Sequence, residues 1–170
     1  MADIATKVPL ATTTLSSSAS SVTFSSISGS YTDLVLVSQA ALSVNNNSLY
    51  LTFNSDTASN YSITSVEGFT NSYDSYRLSS QTKMMLAGVN IGLSTTVGTS
   101  MQISNIMNYS NTTTYKTVVG RWADSNDAGN MESGAVVGLY RSTSAITSIN
   151  IFSQSGNIVS GSKFTLYGIL

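Results

Sequence analysis

Cysteine and histidine are both absent from this 170-residue chain, and proline occurs once, at Pro9. Without cysteine there is neither a disulfide framework nor a thiolate metal site. Without histidine, the commonest general base and the commonest transition-metal ligand are gone, and a Ser/His/Asp triad is excluded. Charge is scarce as well: Lys, Arg, Asp and Glu make up 9% of the residues, against about 25% in ordinary soluble domains. Seven basic and eight acidic side chains leave a net charge of −1. Phosphate neutralisation needs clustered Lys and Arg, so no nucleic-acid partner is expected. No apolar run approaches the roughly 20 residues of a membrane span, so no membrane partner is expected either. The opening "MADIATKVPL" has no positively charged stretch leading into an apolar one, which excludes a secretory signal. P-loop and Rossmann glycine patterns are missing, and no cofactor is expected.

What remains is hydrophobic and uncharged. Hydrophobic residues are 41% of the chain, too many for a disordered polymer, and a chain of this length buries about 70% of its unfolded surface as one domain. Ser, Thr and Asn must cover the outside, and so weakly charged a surface suits an assembly. Apolar runs recur between Gly, Asn and Ser clusters: "YTDLVLVSQAALSV", "SLYLTFN", "TKMMLAGVNIG", "TSMQISNIMNYS", "TYKTVVGRWA", "ESGAVVGLYRS", "AITSINIFS" and "KFTLYGIL". In most of them β-branched and aromatic residues alternate with small polar ones, the pattern of an all-β sandwich or barrel. The run from Leu34 to Val37 is apolar on both parities, as in a strand buried on both sides. Asn45, Asn46 and Asn47 are a turn signal that predicts an antiparallel hairpin between this strand and the one through Leu49, Leu51 and Phe53. One short helix or turn is expected at "NYSITSVEGF", capped by Asn60 or Ser62 and ended by Gly68. The division predicted is residues 1–30 as an N-terminal arm or edge strands, with the Ser/Thr-rich part at 11–30, and residues 31–170 as a single β-sandwich domain.

Chemistry has few places to reside. Among the eight acids, Asp3, Asp33, Asp56, Glu67, Asp74, Asp124, Asp127 and Glu132, only the last three cluster. Asp124, Asn126, Asp127 and Glu132 offer the hard oxygens that Ca²⁺ takes, but the EF-hand pattern fails at Ala128 and Ala135, so a surface loop with Asp/Asn/Gly turn chemistry is the preferred reading. Ser160 and Lys163 make a Ser-Lys pair of the kind chance produces in so Ser-rich a chain. Paired carboxylates for glycoside hydrolysis, set about 5–9.5 Å apart, would have to come from Asp33, Asp56, Glu67 and Asp74, which are isolated in sequence. Asp56 follows a strand and is expected to turn the chain by bonding its own backbone. No catalytic, cofactor or metal residue is assigned, and the chain is expected not to be an enzyme. Nine Tyr and one Trp are the residues suited to filling a sandwich, anchoring an interface or stacking on a sugar.

Three stretches, "VTFSSISGSYTDLVLV", "LYLTFNSDTASNYS" and "RSTSAITSINIFSQSGNIVSGSKFTLYGIL", together resemble a β-sandwich family of tailed-bacteriophage virion proteins, including those of marine and cyanobacterial phages. The shared features are a Phe-x-x-Ile then Tyr-Thr-Asp-Leu opening, a Phe-Asn-x-Asp-Thr-x-x-Asn-Tyr-Ser loop and a Ser-x-Phe-x-Leu-Tyr-Gly-Ile ending. The chain departs from the loop pattern at Asn54, Ser55 and Asp56, where many relatives carry glycine. The resemblance implies an all-β, jelly-roll-like antiparallel β-sandwich with an extended N-terminal arm, assembled as a homotrimer. It further implies a non-enzymatic viral structural protein. One form is a capsid decoration (cement) protein on the outer capsid surface, partnered by the major capsid protein. The alternative is a tail fibre or spike protein that contacts host surface glycan. The short stretch between Met1 and the expected sandwich favours decoration over a fibre, which carries a long shaft.

Overall fold

A computed structural model describes residues 6–44, 47–87, 94–98, 100–126 and 128–170. Among these residues there are strands and turns but no helix, and the strands form two antiparallel sheets packed as an all-β sandwich. The larger sheet has eight strands in the spatial order β1 (Lys7–Thr14), β12 (Lys163–Ile169), β3 (Asp33–Gln39), β8 (Met101–Met107), β9 (Lys116–Ser125), β10 (Met131–Tyr140), β5 (Tyr61–Phe69) and β6 (Tyr73–Gln81). The smaller has four, in the order β2 (Ser21–Phe24), β11 (Ile149–Ser153), β4 (Leu49–Phe53) and β7 (Met84–Ala87). Every apolar run picked out above contains one of these strands, because alternation at period two places one parity in the core.

The core lies between the sheets. Leu34, Leu36, Ile106 and Phe164 of the larger sheet join Leu49, Leu51, Ile149 and Ile151 of the smaller in a single buried cluster. Three aromatics close one end of it: the Tyr61 and Tyr140 rings stack with centroids 4.9 Å apart, and Phe53 tilts against Tyr140 at 5.3 Å. At the other end Trp122 lies flat across Gly134, where an added Cβ would stand 2.4 Å from the indole. Only a residue without a side chain fits beneath that ring.

The predicted hairpin between the third and fourth strands does not form. β3 pairs with β12 and β8, whereas β4 pairs with β11 and β7 in the opposite sheet. The chain therefore crosses between layers here, since both strands must bury apolar residues and two layers satisfy more of them than one hairpin. Asn45 and Asn46 lie outside the described residues. Asn47 is buried, not a surface turn residue: its amide donates to Ser153 Oγ at 2.7 Å and to the Ser155 carbonyl, and its own oxygen accepts from Ser48 N at 2.9 Å.

The predicted short helix is also replaced. Residues 61–69 are strand β5, with Tyr61, Ile63, Ser65 and Glu67 inward and Thr64 and Val66 outward. Thr64 and Val66 are β-branched and suit a pleated surface. The Ser/Thr-rich segment supplies two edge strands, β1 on β12 and β2 on β11. Strand β6 carried no apolar alternation in sequence, since it is an edge strand exposed along most of its length; its pairing with β5 places it.

Candidate interaction surface

The acids move first from their expected places. Asp124 and Glu132 are not surface-loop residues: they are cross-strand partners in β9 and β10, both buried and facing the interior. Only the carboxamide of Asn126 does turn chemistry there, accepting from Ala128 N and Asn130 N at 3.0 Å each; Asp127 lies outside the described residues. Glu67 on β5 joins them on the same inner face. Its Oε1 accepts from the Tyr76 hydroxyl at 2.6 Å and from Ser65 Oγ at 2.8 Å, while Trp122 Nε1 donates to Glu132 Oε1 at 3.2 Å. Asp124 is 4% exposed and neither of its oxygens has a hydrogen-bond partner. Burial, then the neighbouring Glu132 and Glu67 charges, push its pKa up to about 8, so it holds a proton at neutral pH. Burial and the bond to Glu67 likewise raise the Tyr76 phenol. Among the described residues no group of three acids is placed to share a metal ion.

Asp56 is a turn residue, as its sequence context suggests. One oxygen accepts from Ala58 N at 2.8 Å, and the other from Asn60 Nδ2 at 2.8 Å and the Tyr140 hydroxyl at 3.0 Å. Burial pushes its pKa up, but these three bonds outweigh burial and hold it below the usual value. Asn54 and Ser55 sit at φ of 52° and 57°, and the Asn54 side chain ties residues 145 to 148 down through Ala145 O at 2.8 Å and Thr147 N at 2.8 Å. Ser160 and Lys163 do not pair: Ser160 Oγ donates to the Ser16 carbonyl at 3.1 Å, whereas Lys163 is exposed on the larger sheet. Glu67 and Asp74 are cross-strand partners that sequence did not bring together. Glu67 is buried and Asp74 exposed, so solvent reaches only the second.

The surface that stands out is the outer face of the eight-stranded sheet. Register lines up its side chains in rows: Val37, Ile103, Arg121, Ala135 and Val66 in one, and Val35, Asn105, Val119, Val137 and Thr64 in the next. Val66, Met101 and Val137 are 56%, 52% and 51% exposed. With strands about 4.8 Å apart the face is roughly 34 Å across and about 25 Å long, an area on the order of 800 Å². That extent, shared between apolar and polar side chains, is comparable to one side of a standard protein interface.

Its charge is one-sided. Three of the seven cations are committed elsewhere. Lys116 is fully buried, its ammonium held by the carbonyls of Thr114, Thr143 and Ser142 at 2.7, 3.1 and 3.4 Å. Lys83 caps the Tyr50 ring at 3.9 Å, and Arg141 binds Ser59 O at 2.8 Å. The other four, Lys7, Arg77, Arg121 and Lys163, fall by register on the outer face. Among described residues Arg77, Arg121 and Lys163 make no hydrogen bond or ion pair, and Lys7 lies 4.3 Å over the Tyr167 ring. Among the described residues the one acid on this side is Asp33, which has an oxygen occupied by Asn108 N at 2.7 Å. The sequence signal for this face was the doubled valines, Val118 with Val119 and Val136 with Val137, which put apolar groups on both sides of β9 and β10. No protein-family model matches the chain, and no curated protein matches it.

Proposed function

We propose that the chain is a non-enzymatic virion protein of a tailed phage, a capsid decoration (cement) protein that binds the outer head surface as a homotrimer and stabilises the capsid. The observation that carries this reading is the broad, apolar outer face of the eight-stranded sheet: a surface of interface size built on a rigid sandwich is what an attachment module requires. The resemblance in "VTFSSISGSYTDLVLV", "LYLTFNSDTASNYS" and the C-terminal stretch supplies the phage context, the trimer and the jelly-roll arrangement of the two sheets. The acids support a structural role, because Asp56 spends its bonds on a turn and Glu67 and Glu132 spend theirs on Tyr76, Ser65 and Trp122. The test is to mix purified protein with undecorated heads, then measure binding and heat resistance of the particles. Saturable binding with a raised rupture temperature is expected; no binding and no gain would end the reading.

A second reading, a tail fibre or spike protein holding host surface glycan, draws on the smaller sheet. There Tyr50 and Phe152 stack with centroids 6.2 Å apart on the outer side, and the Tyr50 hydroxyl donates to Gln154 at 2.7 Å. Such a pair offers aromatic surface to a sugar ring once Lys83, 3.9 Å over the Tyr50 ring, swings aside. Glycan-array binding that disappears in Tyr50→Ala, with tail labelling in electron micrographs, is what this reading expects.

A further inference from the structure

We infer that the outer face of the eight-stranded sheet docks a protein surface that is apolar with carboxylates set among its apolar groups, one of them facing Arg121, and that a second copy of this chain does not occupy it. This rests on the attachment reading above and adds the chemistry of the partner.

Burial has separated the charges of this chain. Glu67, Asp124 and Glu132 point into the sandwich from β5, β9 and β10, whereas Arg121 on β9, Arg77 on the edge strand β6, and Lys163 and Lys7 on β12 and β1 at the far side of the sheet point outward. A molecule with a net charge of −1 thus presents one cationic face. Arg121 stands near the middle, between Ile103 and Ala135 in register, with no hydrogen bond or ion pair among the described residues. Asp74, on the outer edge strand, projects to the opposite side of the sheet from Arg77.

Complementarity then decides the occupant. Two copies of this face packed on each other would set cations against cations, with Asp33 the one acid among the described residues to oppose them, and like charges at an interface suppress that pairing. A polyanion such as a polysaccharide or nucleic acid would engage the cations but leave Val66, Val119 and Val137 in contact with water. A protein surface that sets carboxylates among apolar groups, opposite Arg121 as well as opposite the cations nearer the edges, satisfies both sets. Arginine serves such a site well, since its planar fork binds a carboxylate through two hydrogen bonds.

The test uses the full-length protein and two probes: undecorated heads, and a chromatography resin bearing phenyl and carboxylate groups together. Arg121→Gln with Lys163→Gln lowers the charge by two on the outer face. Ser25→Glu with Thr112→Glu lowers it by two at exposed positions elsewhere. Wild type and the control pair should bind heads alike, at least tenfold more weakly in 500 mM than in 50 mM NaCl, and the outer-face pair should bind at least tenfold more weakly than either. On the resin the outer-face pair should elute earliest. Sedimentation velocity should show the same oligomer for all three. Equal resin retention of the two pairs overturns the inference even where heads are bound, and so does dissociation of the oligomer in the outer-face pair alone, which would make this the contact between copies. Failure of wild type to bind heads, with the resin difference intact, overturns the virion reading and leaves the chemistry of the face supported.

Discussion

Strands β5, β9 and β10 carry two unlike surfaces. On their inner side the far end holds three buried carboxyl groups against a buried indole and thioether and the half-buried Tyr76 phenol. On their outer side the same strands expose valines around an arginine. Adjacent residues on one strand therefore live in opposite dielectric settings, with Val136 at 1% and Val137 at 51% exposure. Acid is hidden where it costs stability, and base is shown where it can recruit a partner. The inner side bears on how stable the sandwich is, and the outer side is where the proposed partner would dock.

The largest effect should come from pH. An unfolded aspartate loses its proton near 3.8, while Asp124 in the fold keeps it to about 8. Between those values the folded chain holds more protons than the unfolded one, so stability contributed at Asp124 is fully present below about pH 4, falls as pH rises, and levels off above about pH 8. The change is on the order of 5 kcal/mol. Urea denaturation at pH 5, 7 and 9 should show this decline in the wild type and a much flatter profile in Asp124→Asn. The single Trp122, bonded to Glu132 on the strand position two before Asp124, should report the deprotonation in its fluorescence. A pH profile shared by wild type and variant would remove Asp124 from the interior account.

Next in size is steric. Gly134→Val puts a side chain where the indole already lies, and should cost about 3 kcal/mol in denaturant unfolding, whereas Ala135→Val, one residue along and facing outward, should change stability by less than about 0.5 kcal/mol. The two valines sharpen the contrast further: Val136→Ala should cost about 2 kcal/mol and Val137→Ala less than about 0.5 kcal/mol. Smallest of all, Arg121→Gln should leave the unfolding midpoint within about 0.5 kcal/mol of wild type while weakening attachment. If Val136→Ala and Val137→Ala proved equally costly, the outer face would already be covered within the molecule.

Much of this sandwich could be read along the chain. The runs through Leu51, Ile106, Val118, Ile151 and Leu166 announced their strands by alternation, the run through Leu34 announced its own by being apolar on both parities, and the loop after Phe53 announced its turn through Asn54 and Asp56. Strand β6 gave no such signal because an edge strand exposed along most of its length needs no apolar parity. Residues 61–69 invited a helix because cap and stop residues flank them, a local cue overridden by pairing on both sides with β10 and β6. The buried acids were misread for a related reason: Asp and Asn near a glycine look like a loop until the register shows two of those acids to be strand residues.

By itself the sequence determined the class of the fold and the scarcity of its ionisable groups, since alternation, the lack of histidine and cysteine, and the low charge are properties of residue order and type alone. Which sheet each strand joined, and hence which acids were buried together and which cations were left outside on one face, was decided only in three dimensions. Register and layer assignment arise from contacts between residues far apart in the chain, and a shift of one position would exchange the two faces.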